Sequence, residues 1–244
     1  MGKRERLDKV LVERGLVASR KEGQSRILAG EILLNGRPIC KAGSLVEPSA
    51  AIRIRGKPTP YVSRGGTKLE KALNHFRVKV EGRIALDAGA STGGFTDCLL
   101  AHGARRVYAV DVGYGQLAWK LRIDPRVLTL EKTNIRYLES QELPHPPQLA
   151  TIDVSFISLR LVLPRVKELL VPKGEILALI KPQFEVGKGK VGKGGVVRCY
   201  EDQIRVIKEI KETATSLNLK VKGVTESPLT GPKGNKEFFI YLRK

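Results

Sequence analysis

Five short apolar runs, residues 84–87, 107–111, 127–130, 149–153 and 176–181, each end near a polar or glycine-rich turn, and helical patterns separate most of them. Runs apolar at nearly every position are strands covered on both faces, which is how parallel sheets are built. Strand and helix in alternation then predict an open, Rossmann-like α/β sheet with helices on both faces. Leu159, Val162, Leu163, Val166, Leu169 and Leu170 mark one amphipathic helix, in which Pro164 implies a kink or a later start. Ile204, Ile207, Ile210, Ala214 and Leu217 mark another. The final segments, 220–225 and 238–242, are joined by a loop containing Pro228, Gly231, Pro232 and Gly234 and predict an antiparallel pair. The sheet is therefore expected to be mostly parallel with one reversed strand.

In such a sheet, ligands settle beyond the carboxyl ends of the strands where the strand order reverses. The first run ends Leu86-Asp87-Ala88-Gly89-Ala90-Ser91-Thr92-Gly93-Gly94-Phe95. Small residues there let a ligand approach the main chain, and Asp87 can accept from a cationic or amine group. The second run ends at Asp111, 22 residues after Gly89, where a carboxylate can take both hydroxyls of a ribose. Val112, Asn134 and Asp153 complete the candidate cofactor contacts. Dinucleotide dehydrogenases and methyltransferases both use a turn of this kind. Against the first, the glycine spacing is not GxGxxG, Asp87 lies two residues before the first glycine, and the chain carries a net charge of +19. S-adenosyl-L-methionine fits better. A second glycine-rich stretch, Gly187-Lys188-Gly189-Lys190-Val191-Gly192-Lys193-Gly194, nearly reads as a phosphate-binding loop, but Gly194 lacks the hydroxyl that would hold magnesium. It reads instead as a cationic loop that contacts RNA or closes over the site.

Residues 56–66, with Gly56, Pro58, Pro60, Gly65 and Gly66, interrupt the regular pattern. The expected division is a small α+β domain over 1–60 with a linker near 56–64, and a catalytic domain over 65–244. Residues 1–60 carry 13 Lys and Arg against 6 Asp and Glu, which argues for a polyanionic partner. Leu7, Val10 and Leu11 predict a first helix stopping at Gly15. Ser19 and Glu22 predict a capped second helix closed by Gly30, and Asn35-Gly36 a tight turn between short strands. Arg4, Arg6, Arg20, Lys21, Arg26, Arg37 and Lys41 are candidate RNA contacts here, joined by Arg64, Lys188, Lys190 and Lys193 beyond the linker. The stretch resembles the S-four-type RNA-binding domain through Arg6-Leu7-Asp8, Val17-Ala18-Ser19-Arg20 and Gly30-Glu31-Ile32-Leu33-Leu34-Asn35-Gly36. Arg6-Leu7-Asp8 also looks like the aspartate motif of pseudouridine synthases, but it opens an N-terminal helix, and no catalytic domain surrounds Asp8 to bury and orient its carboxylate.

Cys40, Cys98 and Cys199 are odd in number and without CxxC pairing, and His75, His102 and His145 lie in separate segments, so neither disulfides nor a metal are expected. A reducing cytoplasm fits. No apolar run exceeds five residues, against the roughly 20 needed to span a bilayer, and no targeting segment is evident.

Four charged residues sit where segments should meet the pocket rim. Lys68 heads the amphipathic stretch Leu69, Ala72, Leu73 and Phe76; Asp153 and Lys181 end runs; Glu237 opens the last one. Here the chain resembles the TlyA family, also labelled hemolysin A, with a catalytic domain of the FtsJ ribose-methyltransferase type. The resemblance covers nearly the whole chain. It rests on Val62-Ser63-Arg64-Gly65-Gly66-Thr67-Lys68-Leu69, Asp87 to Thr96, Asp153-Val154-Ser155-Phe156-Ile157-Ser158, Lys181-Pro182-Gln183-Phe184-Glu185-Val186-Gly187 and Gly234-Asn235-Lys236-Glu237-Phe238-Phe239. It implies a Lys-Asp-Lys-Glu tetrad at Lys68, Asp153, Lys181 and Glu237. It also implies 2′-O-methylation of cytidine in ribosomal RNA, 16S, 23S or both, naked or within assembled subunits. Members often carry an Arg-x-Trp-Val element in the linker, where this chain reads Thr59-Pro60-Tyr61-Val62.

The chemistry explains the residue types. A ribose hydroxyl is a poor nucleophile at neutral pH, so attack on a sulfonium methyl needs a base or a cation beside the developing alkoxide. Lys181 is the candidate base, Lys68 a second ammonium that favours loss of its proton, and Asp153 and Glu237 hold the amines. Such transfer calls for no metal. Two other readings stand beside it: a nonenzymatic RNA-binding or ribosome-assembly factor, and the pore former that the hemolysin label suggests, for which spanning segments and alternating barrel strands are wanting.

Overall fold

The computed structural model describes the chain apart from residues 1–3, 18, 19, 29, 40, 42, 55–59, 188, 193, 232 and 233 and the side chains of 21, 22, 25 and 28. Two compact units emerge, Met1–Pro58 and Thr59–Lys244.

In the first unit, β1 (Glu5–Arg6) leads into α1 (Leu7–Glu13), followed by α2 (Arg20–Leu28), β2 (Ile32–Leu34), β3 (Arg37–Pro38), β4 (Leu45–Val46) and β5 (Ile52–Ile54). Leu7, Val10 and Leu11 of α1 meet Ile27 and Ile32 in a small core. Asn35 and Gly36 both take positive φ, 50° and 80°, as the tight β2–β3 turn requires. β3, β2 and β5 form one antiparallel sheet; β1 and β4 pair separately, over two residues each. Ser19, the expected helix cap, lies outside the described residues. Asp8 has its partners within this small unit. Its carboxylate is fully buried, held by both Arg6 guanidinium donors at 3.0 Å, by Arg20 at 3.2 Å and by Gln24 at 2.6 Å. The Arg6 hydrogen bond, outweighing burial, holds it well below the usual carboxylate range.

The second unit runs α3 (Arg64–Phe76), β6 (Ile84–Ala88), α4 (Gly94–Ala101), β7 (Arg106–Val110), α5 (Trp119–Arg122), β8 (Val127–Leu130), β9 (Leu149–Ile152), α6 (Leu159–Leu169), β10 (Glu175–Ile180), α7 (Pro182–Glu185), α8 (Tyr200–Ser216), β11 (Lys220–Glu226) and β12 (Phe238–Arg243). Seven strands form one sheet in the order β11-β12-β10-β9-β6-β7-β8. All neighbours are parallel except β12, which is antiparallel to both β10 and β11. The expected sheet with one reversed strand is what forms.

Side-chain alternation shows why both faces are covered. In β7, Tyr108 and Val110 join one core with Leu163 and Val166 of α6 and Val206 and Ile210 of α8. Val107 and Ala109 join the other, with Leu69 and Leu73 of α3 and Leu99 of α4. Pro164 neither delays nor ends α6, which starts at Leu159 on the Ser158 cap and runs to Leu169; the proline removes only the bond to the Arg160 carbonyl. Strand order reverses at β6, so the crevice lies beyond the carboxyl ends of β6 and β9.

Candidate active site

Two ammonium–carboxylate pairs stand at that edge. Lys181, just past β10, places its ammonium 2.5 Å from Asp153 Oδ1, just past β9, and donates to the Ser155 hydroxyl at 3.0 Å. Lys68, on the first turns of α3, donates to Glu237 Oε2 at 2.6 Å. Sheet register brings the pairs into proximity: Ile180 opposes Phe238, so Lys181 and Glu237 flank the same cross-strand pair. The Glu237 side chain is 0% exposed and that of Asp153 is 23% exposed. Dehydrating such ions costs several kcal/mol each, so a buried pair is a weak stabiliser and a strong sign of chemical use. Glu237 Oε1 has no hydrogen-bond partner among the described residues, and a side chain at Gly231 would collide with it.

The glycine-rich turn is tied into the same edge. Gly89 has φ +90°, and a Cβ there would lie 2.5 Å from the Asp153 carbonyl oxygen, so the ends of β6 and β9 touch through the glycine. Ser91 is exposed with φ 49°, and its amide donates to Asp111 Oδ2 at 2.8 Å, while the Gly113 amide donates to Oδ1 at 2.6 Å. Asp111 thus clamps the β6 and β7 loops together. A carboxylate has about four acceptor positions, so lone pairs remain for a nucleoside's hydroxyls. Val112 is exposed beside it. The Asn134 carbonyl oxygen accepts from the Arg136 amide at 3.1 Å.

Some expectations are corrected. Asp87 is fully buried, its oxygens taken by the hydroxyls of Thr96 at 2.7 Å and Thr151 at 3.2 Å rather than offered to an amine. Burial pushes its carboxyl up to about 7, against the pull of those hydroxyls, and the charge of Asp153 adds to the rise. Gly93 and Gly94 leave room for protein rather than ligand: a Cβ at Gly93 would strike Leu117 and Leu121, one at Gly94 the Ser63 hydroxyl and the Gly66 amide. Ala90 and Phe95 are buried, and Thr92 is half-buried.

Among the cationic candidates, Arg4, Arg37, Lys41, Arg64 and Lys190 are exposed. Arg6 and Arg20 are half-exposed but committed to Asp8, and Arg26 lies 3.7 Å from Glu31. Lys188, Lys193 and the Lys21 side chain lie outside the described residues. Sequence reasoning quoted Ser155, Phe156 and Glu185 within motifs without assigning them roles. Phe156 is 90% exposed at φ 62°, its ring 5.0 Å from that of Phe184. Glu185 accepts from Ser158 Oγ at 2.5 Å and the Leu159 amide at 2.8 Å, tying the start of α6 to α7. Asp97 accepts from the Val62 amide at 2.7 Å. None of these pairings follows a local spacing; only proximity in the fold reveals them.

An FtsJ-like methyltransferase model matches residues 61–244. The chain belongs to that family. An S4 domain matches residues 5–52 of this FtsJ-like methyltransferase. TlyA of Mycobacterium tuberculosis, a 16S/23S rRNA (cytidine-2′-O)-methyltransferase, is 46% identical over 244 residues, covering 100% of this chain and 91% of the relative. YqxC of Bacillus subtilis is 48% identical over 241 residues, 98% of this chain and 86% of its own. A solved structure from Streptococcus thermophilus, labelled a hemolysin, is similar at a TM-score of 0.79 with 42% identity, covering 100% of this chain and 90% of that one. Among the described residues no helix is long and apolar enough to cross a membrane.

Proposed function

We propose that this FtsJ-like methyltransferase methylates the 2′-hydroxyl of cytidine in ribosomal RNA, with S-adenosyl-L-methionine as donor. The observation that supports this is that the Lys181–Asp153 and Lys68–Glu237 pairs both form at the carboxyl edge of the sheet, with Lys181 and Glu237 next to the cross-strand partners Ile180 and Phe238. The turn at Gly89, Ala90 and Ser91 and the spare lone pairs of Asp111 fit the nucleoside part of the donor, with Val112 and Asn134 at its margin and Asp153 toward its charged end. When bound, the donor supplies an electrophilic methyl carbon on a positively charged sulfur.

The chain's own residues do the rest. Lys181 as the free amine would take the proton of the ribose hydroxyl as the new O–C bond forms and the methyl–sulfur bond breaks, the electron pair of that bond leaving with the sulfur as a neutral thioether. Lys68, held by buried Glu237, sets positive charge near the developing alkoxide. Asp153 keeps Lys181 at the strand end, so that attacking oxygen and methyl carbon meet in line. The exposed cations of the S4 domain and of Arg64 and Lys190 would hold phosphates, a contribution that weakens with salt. This reading places the protein in the cytoplasm, on ribosomal RNA or on assembled subunits.

The test offers labelled S-adenosyl-L-methionine with naked 16S and 23S RNA and with each ribosomal subunit, then maps the modified nucleotide. Label on a cytidine 2′-oxygen is the expected result. RNA binding without transfer to any of the four would favour a nonenzymatic assembly factor.

A further inference from the structure

Ser155 has no assigned part in the proposed transfer, yet its hydroxyl is the second partner of the Lys181 ammonium. Asp153 Oδ1 lies 2.5 Å from Nζ and Ser155 Oγ accepts from it at 3.0 Å. An ammonium is tetrahedral: one bond goes to the side chain, and three positions carry protons. With a single partner, the flexible four-carbon stem is free to swing about Asp153. Asp153 holds the ammonium by charge, without an aligned hydrogen bond; the bond to Ser155 fixes one of the three directions and thereby the orientation of the others, one of which carries the lone pair in the free amine.

The placement of Ser155 supports a built contact. It is exposed, whereas the Lys181 side chain is 11% exposed, so its hydroxyl stands on the solvent side of the pair, where an RNA strand must arrive. The next residue, Phe156, takes φ 62°, a region that bulky side chains rarely occupy and that persists only where the surroundings enforce it. The chain therefore leaves β9 through a constrained turn that carries Asp153 and Ser155 to one ammonium.

We infer that Ser155 is a positioning residue for Lys181, fixing one direction of its nitrogen so that another faces the ribose hydroxyl. This rests on the proposed methyl transfer. The experiment compares wild type, Ser155→Ala and Ser155→Thr in full-length protein, using labelled S-adenosyl-L-methionine and purified ribosomal subunits. Ser155→Ala is expected to lose about ten-fold in kcat, with KM for both substrates held within about two-fold and the thermal midpoint unchanged. Ser155→Thr, which keeps the hydroxyl, is expected to recover most of the rate. A merely structural role would move the midpoint and would not split kcat from KM. Wild-type transfer with an unimpaired Ser155→Ala, or a loss confined to KM, overturns the role of Ser155 alone. A wild type that transfers no methyl group to any cytidine overturns the proposed function and this inference with it.

Discussion

The two ion pairs at the sheet edge are alike in composition and differ in access. Lys68–Glu237 is sealed, its carboxylate 0% exposed; Lys181–Asp153 stands partly open, its carboxylate 23% exposed and a serine hydroxyl beside the ammonium. The Glu237 carboxylate is out of reach of solvent, so on the proposed reading that pair contributes a fixed field. The open pair can meet a substrate and move a proton. An amine that acts as a base must be reachable, and an amine that only supplies charge works best away from water. The two lysine side chains are equally covered, each 11% exposed, so on the proposed reading they are separated by the openness of the carboxylate and by the Ser155 hydroxyl beside Lys181.

The sharpest way to break the contrast is Lys181→Ala. Loss of a general base costs 10²- to 10⁴-fold, and we expect methyl transfer to fall by about 10³-fold or more. Affinity for S-adenosyl-L-methionine, read by calorimetry, should be nearly unchanged. Asp153 can turn to water, so the thermal midpoint should move little. Substantial residual transfer would remove Lys181 from the mechanism and leave the open pair without a purpose.

The sealed pair should respond in the opposite order, stability first. Glu237→Ala leaves the Lys68 ammonium buried without its carboxylate, a change that typically costs about 3–5 kcal/mol. The urea midpoint should fall accordingly. Replacing both members, Lys68→Met with Glu237→Leu, removes the charges together and should restore most of that stability while transfer stays lost. If Glu237→Ala unfolds at the wild-type midpoint, the pair is not sealed in solution and the two lysines are not distinct in kind.

How far the sequence revealed this depends on the range of the interaction. The strands were legible because unbroken apolar runs and helical spacing are local signals, and the reversed last strand because its loop is rich in Pro and Gly. The four charged positions were legible as ends of those segments and through motifs. The glycines were misread: Gly93 and Gly94 look like openings for a ligand, but α5 and the start of α3 pack into them, a fact of three-dimensional approach. The burial of Asp8 went unseen for the same reason, since Arg20 and Gln24 reach it from another helix. The β1–β4 pairing went unseen because two residues per strand carry no period. Thr96 and Thr151 gave no sign that they would occupy Asp87.

That acid supplies the control for the comparison, with an effect that shows only as pH is changed. Asp87 is as buried as Glu237 and faces the same side of the sheet as α4, but its partners are hydroxyls rather than an ammonium. Without a cation, burial favours the protonated form and its carboxyl titrates near 7, whereas in the unfolded chain an aspartate titrates near about 4. Between those values the folded state holds a proton that the unfolded state has lost. Stability is therefore expected to fall as pH rises from about 4 to about 7, and to level off above, where both states are ionised. Asp87→Asn keeps the shape and cannot ionise, so its thermal midpoint should gain on the wild type as pH rises from about 4 to about 7. At pH 4, where both states of the wild type approach protonation, the difference should narrow. A wild-type pH profile parallel to that of Asp87→Asn would mean that Asp87 finds a cation after all, and burial would then no longer separate it from Glu237.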